Sequence, residues 1–559
     1  MNFRAVVIVV LLLAPTGVAQ LNRPTDVATR GEFAYVANRG SGAVTVVDPK
    51  GDILSQAKVG RSLSSLALVP EGIRSQALAV DRGTEEVLAL KLAGSDVSVV
   101  ERLLVRHVEG VAVDPGGSLA VAFGRWSKVV NVLALSDKLA LRASIEIGFS
   151  PGEVLALGAN QFLVADKFGG RLAMLDAGAG KVIHQTKLRG HNIRGLLRVG
   201  DEVLIAHQIL SEVSRTEFAD VHWGTLMQNV VSRVPIDRLV TGELRPTTVA
   251  LGDVERGAAD PAGMALLGDG RIAVALSGVD EVLISQLPGR RGRFQFAAGD
   301  RIKVGVRPVR LATGGSGGLF VVNMLGHSVS IIDSNSSVRS VDGDHEAGST
   351  AEERGERAFF SGRLSHDSWL SCNSCHVAGH TPGLLADTLG DDAYGNPKLI
   401  PSLLGIGQTA TFGWSGNFDK LEPQVAKSIR TTMHGKGGEQ TVASIAAYLR
   451  TLASPSSVGQ LGPVAKAGQA AFLRHKCGQC HQPESAMTSP GTFDVGFQDE
   501  LGQSRFNPPS LRAIRFRDRF FHDGRAGSLD EALRSHTESL QKEVEAAELK
   551  GLRAYLLSL

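Results

Sequence analysis

One short phrase recurs seven times between Gln20 and about Gly343: an apolar residue, a small one, a second apolar one, then a Pro, Gly or Asp turn. Its copies are PTDVATRGE, LSSLALVPEG, VEGVAVDPGG, PGEVLALGAN, IRGLLRVGDE, PAGMALLGDG and RPVRLATGGSGG. With Val27, Leu66, Val111, Val154, Leu196, Met264 and Leu311 as markers, the spacings are 39, 45, 43, 42, 68 and 47 residues. The intervening stretches are short Val, Leu, Ala and Gly-rich runs that alternate apolar with polar and break at Gly, Pro, Asp and Asn, an all-β pattern. A period near 40 to 45 predicts propeller blades. One such four-stranded sheet cannot bury both faces alone, and radial stacking of seven covers the faces and protects the edges. A β-sandwich pair is the competing all-β arrangement; the regular period favours a seven-bladed β-propeller over 20–345.

The phrases YVANRGSGAVTVVD (35–48) and FVVNMLGHSVSIID (320–333) resemble the repeat of YVTN-type seven-bladed propellers, best at the two ends of the region. The interval after Leu196 is some 25 residues longer than its neighbours and holds AHQILSEVSRTEFADVHWGTLMQNVVSR. An insert is therefore expected in the fifth blade. It carries His207, His222, Trp223 and Met227, residue types that ligate metals, stack or gate a pocket from a loop. It reads either as a packing insert with satisfied histidines or as a wall of a cavity beside a cofactor.

After the propeller the periodicity becomes helical, in STAEERGERAFFSG, VASIAAYLRTL, VAKAGQAAFLRH and VEAAELKGLRAYLLSL. The region is duplicated: IPSLLGIGQTATFGWSGNFDKLEPQV aligns without a gap on PPSLRAIRFRDRFFHDGRAGSLDEAL at an offset of 108, and AAYLRTL answers RAYLLSL. Two small helical domains are expected, 346–455 and 456–559, divided at the Ser, Pro and Gly-rich 453–463.

All four cysteines of the chain fall in two pentads inside this region, CNSCH (Cys372, Cys375, His376) and CGQCH (Cys477, Cys480, His481). The spacing lets two thiols form thioethers with one haem while the adjacent imidazole binds its iron. A zinc knuckle uses the same CxxC but requires further Cys or His ligands, and no cysteine remains. A thioredoxin-like pair requires a βαβ context that is lacking here. Two covalently bound haem c groups are therefore expected. For the second iron ligands, Met433 lies 57 residues past His376 and His536 lies 55 past His481, so they are the candidates for haem 1 and haem 2. The competing roles are a core methionine and a solvated helix histidine. His380, four residues past His376, is a further but weaker candidate.

With these features together, the last ~200 residues resemble the di-haem cytochrome c peroxidase family, including its MauG-like, quinone-cofactor-maturing relatives, most specifically in FFHDGRAGSLDEAL. The resemblance implies two class I-like cytochrome c domains and makes Trp414, in FGWSGN, the electron relay between the haems. It implies a Met or Tyr ligand for the second haem, where this chain has His536. It also implies a glutamate before the residue matching Met433, where this chain has Thr432; a hydroxyl cannot act as that carboxylate base. Exported proteins that fuse such a pair to a YVTN-type propeller are similar in architecture, and the likeness does not extend to a substrate.

Arg4, the apolar run Ala5–Ala14 and the small residues Gly17 and Ala19 make 1–19 read as a cleaved secretory signal. A membrane anchor competes, but ten apolar residues are about half a span. A periplasmic or secreted protein follows. Net charge +2 and 21% charged residues give no basic field for nucleic acid. Two functions follow: electron transfer with a redox partner protein, such as a small cytochrome or cupredoxin-like donor or acceptor, the propeller serving as docking scaffold; or a peroxidase-like oxidoreductase with an open haem site. A propeller that is itself a dehydrogenase is a weaker third, because fold alone does not confer function.

Overall fold

In the computed structural model, which describes residues 20–559 apart from 74, 137, 287–298, 344–347, 458 and 540–543, the seven sequence repeats become seven four-stranded antiparallel sheets. They span 24–58, 63–104, 110–146, 151–187, 191–250, 261–303 and 308–342, and within each the strands pair in chain order. The signal-like segment 1–19 lies outside the described residues. Burial explains the sequence pattern: the middle strands, as in Phe33–Asn38 and Ala43–Val47, are covered on both faces and read as apolar runs, whereas the outer strand Asp96–Leu104 alternates half-buried with exposed. Because every blade is one continuous run of chain, the ring closes by packing. Thr29 Oγ1 donates to the Thr313 carbonyl at 2.8 Å, Gly315 N to Gly31 O at 3.0 Å, and Val27, Val309, Phe320 and Ile331 share one apolar cluster.

The extra length does fall in the fifth blade. Three of its strands, His191–Val199, Glu202–Leu210 and Met227–Pro235, run to nine residues each, and between the last two sits a loop with a short helix α1 (Phe218–His222). A second short helix, α2 (Ile236–Thr241), follows the third strand. The expectation that His207 and Met227 ride on a projecting loop is therefore corrected: the lengthened strands absorb both into the sheet. Leu210, Val221, Leu226 and Met227 pack into one core with Phe359, Trp369, Leu370, Met433 and Ile445 of the C-terminal region.

That region is built of helices and irregular segments. Its helices are α3 (Ala351–Phe359), α4 (Cys372–Cys375), α5 (Leu421–Lys427), α6 (Glu439–Arg450), α7 (Pro463–Arg474), α8 (Leu529–Ser539) and α9 (Ala546–Ser558). α3 starts on a capping box, Thr350 with Glu353, and α7 carries Pro at its first position. The duplication persists in three dimensions. α3 crosses α6 and α7 crosses α9, each at a glycine that permits close backbone approach: a Cβ on Gly355 would collide with the Ser444 carbonyl, and one on Gly468 with the Gly551 carbonyl. The bridge Phe412–Phe418 is repeated 108 residues later as Phe520–Ala526. The region is not purely helical, which corrects the all-α expectation. Leu385–Ala386 pairs with Lys398–Leu399, and Phe493–Asp494 with Arg505–Phe506. These short ladders satisfy backbone groups where the chain bends around a cavity.

The C-terminal region seats on the propeller through backbone and side chains together. Gly257 N donates to Asp367 O at 2.6 Å and Gly362 N to Gly278 O at 2.7 Å. The Arg307 guanidinium lies 3.3 Å from the Phe360 ring centroid, and Trp126 meets Phe516 edge-on at 5.0 Å.

Candidate functional site

The first pentad is held by the propeller. Asp260, in the loop entering the sixth blade, is fully buried. Its Oδ2 accepts from Ser371 Oγ at 2.8 Å and Asn373 Nδ2 at 3.1 Å, and its Oδ1 from Ser374 Oγ at 2.9 Å. Ser374 is gripped a second time: Gln208 Nε2 donates to its hydroxyl at 3.0 Å, and His191 Nε2 lies 2.7 Å from its carbonyl. Ser371 also caps α4 in a reciprocal box with Ser374. The two residues between the cysteines are thus the ones that face the propeller, which leaves Cys372 and Cys375 to turn the other way, into a cavity.

That cavity has a volume of about 460 Å³. It is lined by Cys372, Cys375 and His376 of the first pentad, by Cys480 and His481 of the second, and by Met433, His536 and Trp414. The remaining wall is largely aliphatic and aromatic, with Leu210 and Leu226 supplied by the fifth-blade insert. Of the sequence-predicted site residues, Cys372, Cys375, His376, Trp414, Met433, Cys480, His481 and His536 are therefore brought to one space from five separate stretches of chain. Met433 is buried, with its Sδ 4.0 Å from Cys372 Sγ. It follows a π-helical turn, Ser428–Thr432, whose register sets Met433 N on Ser428 O at 3.1 Å; such turns are frequent at functional positions.

The donor chemistry fits haem c. His376 Nδ1 lies 2.9 Å from the Pro401 carbonyl and His481 Nδ1 lies 3.2 Å from the Met487 carbonyl. A proton on each Nδ1, donated to that carbonyl, leaves the Nε2 lone pair for a metal. Burial pushes both imidazoles down to about 4, the charge of His536 adding to the effect at His481, so both are neutral at pH 7. Burial, then the nearby Asp260 carboxylate at Cys372 and the neighbouring thiol at Cys375, pushes these two cysteines up to about 12. Cys372 and Cys375 are not disulfide-bonded. Arg517 and Arg519 also reach the wall, and Arg517 Nε, buried without a hydrogen-bond partner, is a donor suited to a haem carboxylate.

Trp414 lies where the two repeats meet. Its Nε1 donates to Leu399 O at 2.7 Å, and Leu399 N donates to His522 O at 2.6 Å. The Trp414 and His522 rings stand edge to face, 6.4 Å apart, and His522 stacks on Phe506 at 3.8 Å. His522 is the residue sequence reasoning passed over. The signal was present, because the offset of 108 that aligns the repeats sets His522 against Trp414. The same offset sets His536 against Ser428, so the similar spacings of Met433 and His536 from their pentads are not a positional equivalence, although all three line the cavity.

Other candidates fall elsewhere. His380 is fully buried against the propeller, with Nδ1 2.8 Å from Ser402 Oγ and its ring edge-on to Phe168 at 4.7 Å; it does not line the cavity. His207 is buried in its strand with Nε2 2.8 Å from Ser232 Oγ. Met227 is core. Trp223 is exposed, and His222 faces His366 and Asp367. Thr432 does stand in the cavity wall.

Two cysteine–histidine pentads on a shared apolar cavity, with an aromatic pair at the join, define a di-haem redox class. Comparison with known proteins agrees. Residues 350–454 and 472–554 match the family model described as di-haem cytochrome c peroxidase, so the chain joins a seven-bladed propeller to a di-haem cytochrome c peroxidase-like region. It is similar to the methylamine utilization protein MauG of Methylorubrum extorquens, at 26% identity over 235 residues, spanning 32% of this chain and 66% of that protein. It is also similar to the cytochrome c551 peroxidase of Nitrosomonas europaea, at 24% identity over 265 residues, covering 37% and 79%. Among solved structures, hydrazine synthase of Kuenenia stuttgartiensis aligns at a TM-score of 0.49 and 15% identity, over 58% of this chain and 99% of that one. Among the described residues, no helix is long and apolar enough to cross a membrane.

Proposed function

We propose that this protein is an exported di-haem c-type cytochrome that transfers electrons between partner proteins, with haem 1 attached at Cys372 and Cys375 and haem 2 at Cys477 and Cys480. The observation that carries the reading is the single cavity lined by residues of both pentads, by Met433 and His536, and by Trp414. In this reading 346–455 and 456–559 are class I-like cytochrome c domains. His376 and Met433 hold the first iron, and His481 and His536 the second. Haem, when bound, supplies a reversible one-electron couple.

The chain's own residues do the rest. The Pro401 and Met487 carbonyls keep each proximal imidazole in one tautomer and orientation. The aliphatic wall excludes water, which lowers the reorganisation that accompanies a change of charge. Trp414 bridges the repeats, fixed through its indole N–H. Export to the periplasm or medium suits covalent haem and the signal-like segment 1–19. The partner expected is a small cytochrome or cupredoxin-like protein docking on the propeller-borne assembly.

The likeness to a named peroxidase favours a second reading, a peroxidase-like oxidoreductase acting on peroxide or another substrate at an open haem site. Thr432 weighs against it, because a hydroxyl at that wall cannot take a proton as a carboxylate does. Low-temperature EPR of the oxidised and half-reduced protein, with and without peroxide, separates the two. Electron transfer predicts two low-spin centres indifferent to peroxide; a high-spin, peroxide-consuming centre sinks that reading in favour of the enzyme.

A further inference from the structure

Away from the haem cavity, the fifth-blade insert and the turn before the first pentad bring three metal-binding side chains face to face. His222 closes α1, and His366 and Asp367 lie 144 and 145 residues later. His222 Nδ1 is 2.8 Å from Asp367 Oδ2, His366 Nε2 is 3.3 Å from the same oxygen, and the two ring nitrogens are 3.3 Å apart. These three atoms form a small triangle, one donor to a side chain, with none of the side chains fully buried. We infer that His222, His366 and Asp367 form a site for one divalent transition-metal ion of the zinc class, sharing no ligand with either pentad.

The spacing is the first argument. A tetrahedral ion with ligands at about 2.0–2.1 Å requires its donors roughly 3.3 Å apart, which two of the three separations match and the third approaches. Two imidazoles and one carboxylate, with no thiolate, suit zinc and its first-row neighbours and leave a fourth position for water.

Fixation is the second. Each donor is held by contacts that owe nothing to the other two. The Trp369 indole donates to the His222 carbonyl at 3.1 Å and so pins the end of α1. The Asp367 carbonyl accepts from Gly257 N of the propeller at 2.6 Å. His366 N donates to the Met433 carbonyl at 2.9 Å. Phe218 lies against both imidazoles, with its centroid 4.6 Å from His366 and 5.8 Å from His222, and limits their rotation. Asp367 also sits in the left-handed region at φ 53, a conformation that a non-glycine residue adopts at a cost and that here turns the carboxylate toward the two rings. An ion at this point would clamp the insert to the turn that leads into the first pentad, and would act on Met433 through one backbone hydrogen bond.

The competing account is that both imidazoles simply donate to one carboxylate oxygen. Metal analysis of the purified holoprotein decides between them, because zinc is counted separately from haem iron. After incubation with Zn²⁺ and dialysis, the intact protein is expected to retain one zinc per chain. His222→Gln and His366→Gln are each expected to weaken Zn²⁺ binding in titration calorimetry by about 100-fold or more, beyond the 10–100-fold typical of outer-shell partners. Asp367→Asn, which keeps the side-chain shape, should weaken it by roughly 10-fold or more. Unchanged haem absorbance in each variant shows that the fold has survived. Intact protein that holds no more zinc than the His222→Gln/His366→Gln double variant overturns the inference, as does titration in which the single variants bind like the parent. Either failure leaves the two-haem reading untouched.

Discussion

The two pentads share a grammar and differ in their surroundings. In the first, Asn373 and Ser374 are buried and read by Asp260 of the propeller. In the second, the intervening residues are Gly478 and Gln479, Gln479 is exposed, and the turn enters through Lys476 at φ 55. The propeller touches the second repeat away from its pentad, through Trp126 on Phe516 and Arg171 paired with Asp518. The x positions of a CxxCH pentad are not constrained by the haem edge, so their chemistry is free to serve the neighbouring domain. Here one copy uses polar, buried x residues as a docking surface, and the other leaves a glycine and a solvated side chain. The first repeat is in effect assembled on the propeller, and the second is attached to the first.

The strongest way to break this comparison removes the cysteines pair by pair. Cys372→Ser with Cys375→Ser, and Cys477→Ser with Cys480→Ser, are each expected to cost one haem per chain and about half of the Soret absorbance. Equal loss of both haems from either double variant would mean that the pentads do not act as two sites. Next in size is Asp260→Ala, which strands the Ser371, Asn373 and Ser374 donors in a dry junction at about 1 kcal/mol each, about 3 kcal/mol in all. Hydrogen exchange at residues 372–376 should speed up accordingly, with 477–481 unchanged. Equal acceleration at both would show that the propeller holds the two repeats alike.

Much of this was legible in the sequence, and the failures have a common cause. Seven repeats spaced by about 40 residues made the propeller readable, because each blade is one uninterrupted meander with its own turns. The pentads were readable because their chemistry lies within five consecutive residues. Asp260 was not, since the residues it serves lie 111 to 114 positions away and one sequence carries no signal across that distance. His366 and Asp367 were invisible for the same reason, although His222 had been singled out by residue type. His207 and Met227 were misplaced because the extra residues of the insert went partly into longer strands, where a histidine is hydrogen-bonded to a serine and a methionine becomes core. His522 was within reach, through the repeat alignment that sets it on Trp414.

His380 sharpens the contrast at intermediate size. It stands four residues past the first pentad's histidine, where the second repeat has Ser485. Burial, reinforced by the positive charges of Arg517 and Lys128, pushes it down to about 3. The unfolded chain, with His at about 6.5, binds a proton that the native junction refuses. Stability is therefore fully present above pH ~6.5 and is lost as pH falls toward 3, at up to about 1.4 kcal/mol per unit for this residue. Chemical denaturation at pH 7 and pH 5 should show the parent losing about 2 kcal/mol more than His380→Gln. Identical losses would mean that the junction accepts a protonated imidazole there.

The smallest expected effect is also the most specific to the asymmetry. Asp260 places a buried carboxylate whose charge is felt at both Cys372 and Cys375. A negative charge there would favour the more positive, oxidised iron of a haem bound at the first pentad, and so would hold its reduction potential down. Asp260→Asn keeps the shape and an acceptor oxygen but removes the charge. At an effective dielectric near 20, the loss is on the order of 1 kcal/mol, roughly 40 mV for one electron. Spectroelectrochemical titration should show the first haem's potential rising by about that amount and the second's by less, the more remote site being better screened. A fall, or an equal rise at both haems, would mean that the docking carboxylate tunes neither site through its charge, and that the propeller's hold on the first pentad is mechanical alone.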